Sequence, residues 1–240
     1  MNNISTQDAS KSPIFAYTAP FVVFMLLLAL VPLAAKMLPA SGNAWFSQPE
    51  FIVYPIQTIL CGALLLYTRR KVEFRGIAYP SVIFAVGFFV FAIWTAPQFF
   101  HWIPPRTDGF NPDVFPANSF SYWATVGMRF LRLVIVVPLL EEIFWRGFLM
   151  RFLISEPFEK VPFGTYQTKA FIITVIAFGL AHYGNSALPG QDFYAAIITG
   201  IIYNGVACLT KSLGSCIFVH AVTNLFLGLY IMFTKQWGFW

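Results

Sequence analysis

LRLVIVVPLLEEIFWRGFLM, residues 131–150, is apolar enough to enter a bilayer, yet it carries Glu141 and Glu142 side by side with Arg146 one turn further on. A carboxylate in hydrocarbon costs several kcal/mol unless it faces a bundle interior or water. The stretch therefore reads as a membrane helix whose polar residues face other helices. Two later apolar segments repeat the pattern: Phe178-Gly179-Leu180-Ala181-His182, and His220-Ala221-Val222-Thr223-Asn224. Three helices that each carry so costly a group point to one shared polar site.

Composition agrees. The 240 residues are 58% hydrophobic, 19% aromatic and only 10% charged, where soluble domains run near one-quarter charged. Apolar runs of about bilayer-crossing length fall at roughly 14–35, 51–68, 79–97, 121–154, 168–184, 192–210 and 213–234. The expectation is an all-α polytopic bundle of about seven spans, eight if the Pro- and aromatic-rich segment 97–120 adds a reentrant helix. It forms a single domain over residues 1–240, with the motif-bearing core at 120–234. The first run is read as an anchor and not a cleaved signal. Pro138 removes a backbone hydrogen bond just before the glutamates, so a kink is expected there.

Basic residues give orientation. With the N-terminus inside, the inner segments hold Lys11, then Arg69, Arg70, Lys71 and Arg75, then Arg146, Arg151, Lys160 and Lys169, and finally Lys211; the outer ones hold Lys36, Arg106 and Lys235. The net charge of +5 is thus a topology signal, and no nucleic-acid partner is implied. Trp45, Trp102, Trp237 and Trp240 fall in outer segments, as an interfacial belt would. Cys61, Cys208 and Cys216 show no metal-type spacing and read as small packing residues. The expected setting is a membrane that the chain crosses several times.

On a helix, i and i+4 share a face while direct neighbours point about 100° apart. Glu142 therefore pairs with Arg146, leaving Glu141 for the site. At ~1.5 Å per residue, Glu141 and His182 each lie about 20 Å from the inner ends of their runs, and His220 and Asn224 about 10 and 16 Å from theirs. Phe178 stands one turn from His182 and can brace its ring. His220 and Asn224 share a face and can serve as an oxyanion hole. Alternatively, Glu141, His182 and His220 can supply the three ligands of a catalytic zinc. Asn204 and Gln57 read as interhelical hydrogen bonders. Arg129 and Arg132 are unusual within a span. Snorkelling to the outer surface is the plain account of Arg129, and contact with a substrate carboxylate or Asp192 the sharper one.

The ordered set Glu141-Glu142-x-x-x-Arg146, Phe178-x-x-x-His182 and His220-x-x-x-Asn224 resembles the three motifs of the CAAX protease and bacteriocin-processing (CPBP/Abi) family, whose members include the type II CAAX prenyl endopeptidases. The run from Phe144 to Arg151, followed by Phe158 to Pro162, is similar to the bacterial branch associated with exosortase systems. The resemblance implies an intramembrane endopeptidase in which Glu141 and His182 activate water. His220 and Asn224 would stabilise the oxyanion, while Glu142 and Arg146 support the helix. It also implies a membrane-embedded or lipidated peptide or protein as substrate. The rival reading is a non-enzymatic immunity or scaffold protein, or a proton-coupled transporter using the same residues as relays.

Overall fold

The computed structural model describes residues 12–37, 42–183 and 191–240, and among them there are helices and no strands. Seven helices build the bundle: α1 (Pro13–Met37), α2 (Glu50–Lys71), α3 (Pro80–Phe99), α4 (Phe120–Phe152), α5 (Thr168–Ala181), α6 (Gln191–Thr210) and α7 (Leu213–Thr234). Six of these are long and apolar enough to cross a membrane. The exception is α5, whose 14 residues rise only ~21 Å against the ~30 Å hydrocarbon core. The segment 100–119 holds a single 3-10 turn, Pro112–Val114, and no reentrant helix. Outward faces carry exposed Ile59, Leu66, Phe89, Leu209 and Phe233, as a lipid-facing surface does.

Side-chain contacts sort the loops into two ends. At one end Lys211 Nζ donates to the Gly164 carbonyl, Ser212 Oγ to the Arg75 and Gly76 carbonyls, and Arg151 lies near Glu73. At the other, Arg106 pairs with Asp192, Lys235 with Asp113, and Gln48 meets Gly109. The basic connections thus gather together, as the alternation of inner and outer segments expects; Lys11 lies outside the described residues. Arg151 organises its loop by donating to the carbonyls of Val161, Gly147 and Glu159, which accounts for much of the sequence after α4.

Helices α1 and α2 pack as one pair, α3 and α7 as a second, α5 and α6 as a third, and α4 runs between them. Two glycines permit close approach within the second and third pairs. A Cβ at Gly87 would lie 2.8 Å from the Val219 carbonyl, and one at Gly179 would lie 2.6 Å from Ile197. Small residues at such crossings let membrane helices gain dispersion energy where lipid offers no hydrophobic drive.

Within α4 the helical winding changes four times: α over Phe120–Phe130, π over Leu131–Val136, α over Val137–Glu142, π over Ile143–Leu149, then α again. The break expected at Pro138 takes this form. The wide turn before it closes with Val137 N–H donating to the Arg132 carbonyl. The Leu133 carbonyl is then stranded, because its α-helical donor (Val137) is committed and its π-helical donor would be Pro138, which has no N–H. Both glutamates sit in the short α segment between the two π segments, a placement common at functional sites.

Two tryptophans depart from the interfacial belt. Trp237 is buried, and Trp240 stacks on Phe110 and packs edge-on against Phe130. The residues after α7 fold back over the bundle, held by Gln236 Oε1 accepting from Arg106 N–H and by Gly238 N–H donating to the Arg106 carbonyl. Local sequence marks them as a tail; tertiary contacts with Arg106, Phe110 and Phe130 turn them inward.

Candidate active site

Adjacent glutamates on α4 point in different directions, and their surroundings differ accordingly. Glu142 is fully buried, and its Oε1 accepts from Arg146 Nη1 at 3.1 Å and from His220 Nδ1 at 2.8 Å. Arg146 Nε donates to Asn204 Oδ1 at 2.9 Å, and Asn204 Nδ2 donates to the Phe171 carbonyl at 3.2 Å. One polar chain therefore ties α4, α5, α6 and α7 together through side chains withdrawn from lipid. Asn204 acts as the interhelical bridge its position suggests. Gln57 does the same elsewhere, accepting from Arg132 and donating to the Phe24 carbonyl. The Arg146 guanidinium also stacks 4.9 Å from the Phe178 ring.

Glu141 instead lines a cavity of about 290 Å³, together with His182, His220 and Asn224. Neither Glu142 nor Arg146 belongs to that lining. Oε2 of Glu141 and Oε2 of Glu142 are both buried without a protein partner. What sets Glu141 apart is that it lines the cavity, where a bound molecule can satisfy its carboxylate.

The two histidines are held differently. His182 caps the C-terminal end of α5, and its Nδ1 lies 2.8 Å from the Phe178 carbonyl. A carbonyl only accepts, so Nδ1 carries the proton and Nε2 is left as an acceptor. Phe178 braces the ring at 4.6 Å between centroids, and Trp94 stands at 6.0 Å on another side. His220 gives its Nδ1–H to the Glu142 carboxylate, so its Nε2 is the atom free for the cavity. That nitrogen donates whenever the ring carries both protons. Tyr203 packs against the His220 ring at 5.3 Å and is itself fixed by its hydroxyl donating to Thr223.

Asn224 answers the broken winding of α4. Its Nδ2 donates to the Leu133 carbonyl at 2.8 Å, the group stranded by the π turn and Pro138. The amide plane is thereby fixed, and one N–H remains for the cavity. The pairing read from sequence, His220 and Asn224 on one face of α7, is what the structure presents, with each side chain already committed on one side.

Among the described residues no group of three or more His, Cys, Asp or Glu side chains is arranged to hold a metal ion. The Nδ1 of each histidine is engaged by an acceptor, which leaves Nε2 as the atom that could coordinate one. A catalytic zinc needs three such ligands converging at about 2 Å.

Two readings of the arginines are corrected. Arg129 does not snorkel; it is 3% exposed and points inward. Asp192 is not its partner, because Arg106 Nη2 holds that carboxylate at 2.6 Å. Sequence reasoning also left out Trp94, Thr199 and Tyr203, which line the cavity, with Trp94 Nε1 donating to Thr199 at 2.8 Å. Nothing in their local sequence distinguishes them from ordinary packing residues.

Residues 122–226 match the family model described as Type II CAAX prenyl endopeptidase Rce1-like. The family resemblance carried by the three motifs is borne out over these residues, and the family is one of proteases. Comparison with curated proteins and with solved structures found no match.

Proposed function

We propose that this member of the CAAX protease family hydrolyses a peptide bond inside or beside the membrane, using water activated by Glu141. The observation that carries this reading is the division of labour between neighbouring glutamates. Glu142 gives its Oε1 to Arg146 and His220 and stays out of the cavity, while Glu141 opens on the cavity that His182, His220 and Asn224 also line. A scaffold gains nothing from an unpartnered carboxylate there.

In the proposed reaction Glu141 takes a proton from water while His182 Nε2 orients that water by accepting its second hydrogen. The water oxygen bonds to the carbonyl carbon, and negative charge moves to the carbonyl oxygen. The free N–H of Asn224 is placed to meet that charge, and so is His220 Nε2 in the ring that carries both protons, with Leu133 and Glu142 holding their other sides. The C–N bond then breaks, and Glu141 returns its proton to the leaving amine. Excluding bulk water strengthens each of these contacts.

The substrate is a peptide or protein that reaches the site through the bilayer, membrane-embedded or lipidated, in the bacterial inner membrane. The test is a comparison of membrane-protein termini in cells expressing the chain or its Glu141→Gln variant. New termini confined to the unsubstituted chain support the reading; identical sets of termini refute it.

A further inference from the structure

The same cavity is lined by three arginines that hydrolysis does not use, and one of them, Arg106, is paired with Asp192. Arg129 and Arg132 both line it, at 3% and 7% exposure. Arg132 Nε is taken by Gln57 at 2.9 Å, and its guanidinium lies 4.2 Å from the Tyr54 ring and 4.8 Å from that of Phe24. Arg129 is held among Tyr54, Phe110 and Trp240, at 4.7, 5.2 and 5.5 Å. Its Nε and Nη1 are buried and reach no acceptor. Among the described residues no carboxylate forms an ion pair with either arginine: Arg129 has a hydrogen bond to Tyr54, Glu50 and Glu141 act on Arg129 and Arg132 respectively only from a distance, and Asp192 belongs to Arg106.

Burying a cation without an anion in contact is expensive, and stacking on aromatic faces offsets only part of that cost. Two guanidiniums three residues apart on one helix add mutual repulsion. An entering anion would relieve both costs at once. Guanidinium donors match a carboxylate in geometry as well as charge.

We propose that Arg129 and Arg132 form a carboxylate-binding subsite for the peptide cleaved at the Glu141 end of this cavity, an inference that rests on the proteolytic reading. Along α4 the arginines stand nine and twelve residues before Glu141, an axial separation of roughly 13–18 Å. An extended peptide covers ~3.3 Å per residue, so the bound carboxylate lies about four or five residues from the scissile bond. The arginine end of the cavity is walled by Gly238, Phe239 and Trp240. The anion comes from a chain terminus or from an acidic side chain.

The experiment measures binding with hydrolysis switched off. Fluorescent apolar hexapeptides are titrated against the Glu141→Gln protein in detergent, ending in a free acid, in a carboxamide, or in a carboxamide preceded by one glutamate. The free acid, the glutamate peptide or both should bind about ten- to hundredfold more tightly than the neutral amide, the range of a charge-assisted hydrogen bond. Which of the two anionic peptides gains identifies the source of the carboxylate. Adding Arg129→Gln should erase the gain, and Arg129→Lys should keep part of it. Equal binding of all three peptides overturns the proposal without any arginine substitution being needed. So does a preference that survives Arg129→Gln, or one abolished by phosphatidylglycerol but not phosphatidylcholine, which would give the site to lipid phosphate. Cleavage of acid and amide alike by the unsubstituted protein would leave the proteolytic reading standing and the subsite fallen. A carboxylate preference with no cleavage of any of the three would do the reverse.

Discussion

Replacing Glu142 by glutamine tests the polar chain at its centre. The substitution keeps shape and one acceptor oxygen, but it removes the charge that Arg146 Nη1 and His220 Nδ1 share at 3.1 and 2.8 Å. Arg146, 1% exposed, is left facing neutral Asn204 and an amide. Breaking a buried ion pair costs about 3–5 kcal/mol, and the retained oxygen places this change near the lower end. At ~2–4 °C per kcal/mol for a chain of this size, the melting temperature should fall by roughly 6–12 °C. Sequence spacing alone expects a loss of stability and little else. The bond to His220 adds a second consequence: with its orienting partner weakened, the imidazole drifts, and kcat should drop by up to about a hundredfold while KM changes little. Both quantities are measurable on one detergent preparation, by intrinsic fluorescence on heating and by peptide cleavage at a temperature where the variant is folded. An unchanged melting temperature would refute the buried ion pair. A destabilised variant with full kcat would refute the orienting role of Glu142.

Glu141→Gln should abolish cleavage, a loss of at least about a hundredfold in kcat, with a melting temperature within a few degrees of the parent; a large stability loss would move Glu141 into the structural chain. Asn224→Ala should lower kcat by about 10²–10³-fold and also destabilise the protein, because the Leu133 carbonyl loses its donor; cleavage rates and thermal melts on the same samples separate the two effects. Protein purified without chelator should contain far less than one zinc per chain and keep its activity in chelator, measured by elemental analysis and peptide cleavage; stoichiometric zinc whose removal and return switch activity would make His220 a ligand. Asp192→Asn should loosen the residues after α7 by weakening the 2.6 Å bond from Arg106, detectable as faster amide exchange over 235–240 with little change in α4.

Much of this architecture is legible without coordinates, because hydrocarbon is an unforgiving solvent. Placing Glu141, His182 and Asn224 in apolar runs is affordable only if they face one another or a cavity, so inferring a common site needed no tertiary information. The pairing of Glu142 with Arg146 follows from helical spacing. What spacing cannot supply is the partner on another helix. The bond from His220 to Glu142, the enclosure of Arg129 by Tyr54, Phe110 and Trp240, and the capture of Asp192 by Arg106 join residues 78, up to 111 and 86 positions apart. No local pattern encodes these distances. The same gap explains why Trp237 and Trp240 were misplaced: a tryptophan after the last span is interfacial by habit, and only contact with Arg106 and Phe110 draws it in.

The backbone of α4 shows a subtler limit. Its sequence reads as one uninterrupted apolar helix with a proline, and any face assigned at 3.6 residues per turn assumes uniform winding. Two π segments break that assumption on either side of the glutamates, at Leu131–Val136 and Ile143–Leu149. Proline explains the first in hindsight. Once the wide turn commits Val137 N–H to Arg132, the Leu133 carbonyl has no donor in its own helix, and in an apolar interior it needs one from elsewhere. Asn224 Nδ2 supplies it at 2.8 Å. The motif asparagine on α7 and Pro138 on α4 are thus two halves of one device. The proline creates a vacancy at a fixed height, and the asparagine fills it with one amide hydrogen while the other is held toward the cavity. A side chain pinned in this way loses little freedom when a charged oxygen arrives. That is the preorganisation the proposed reaction asks of Asn224.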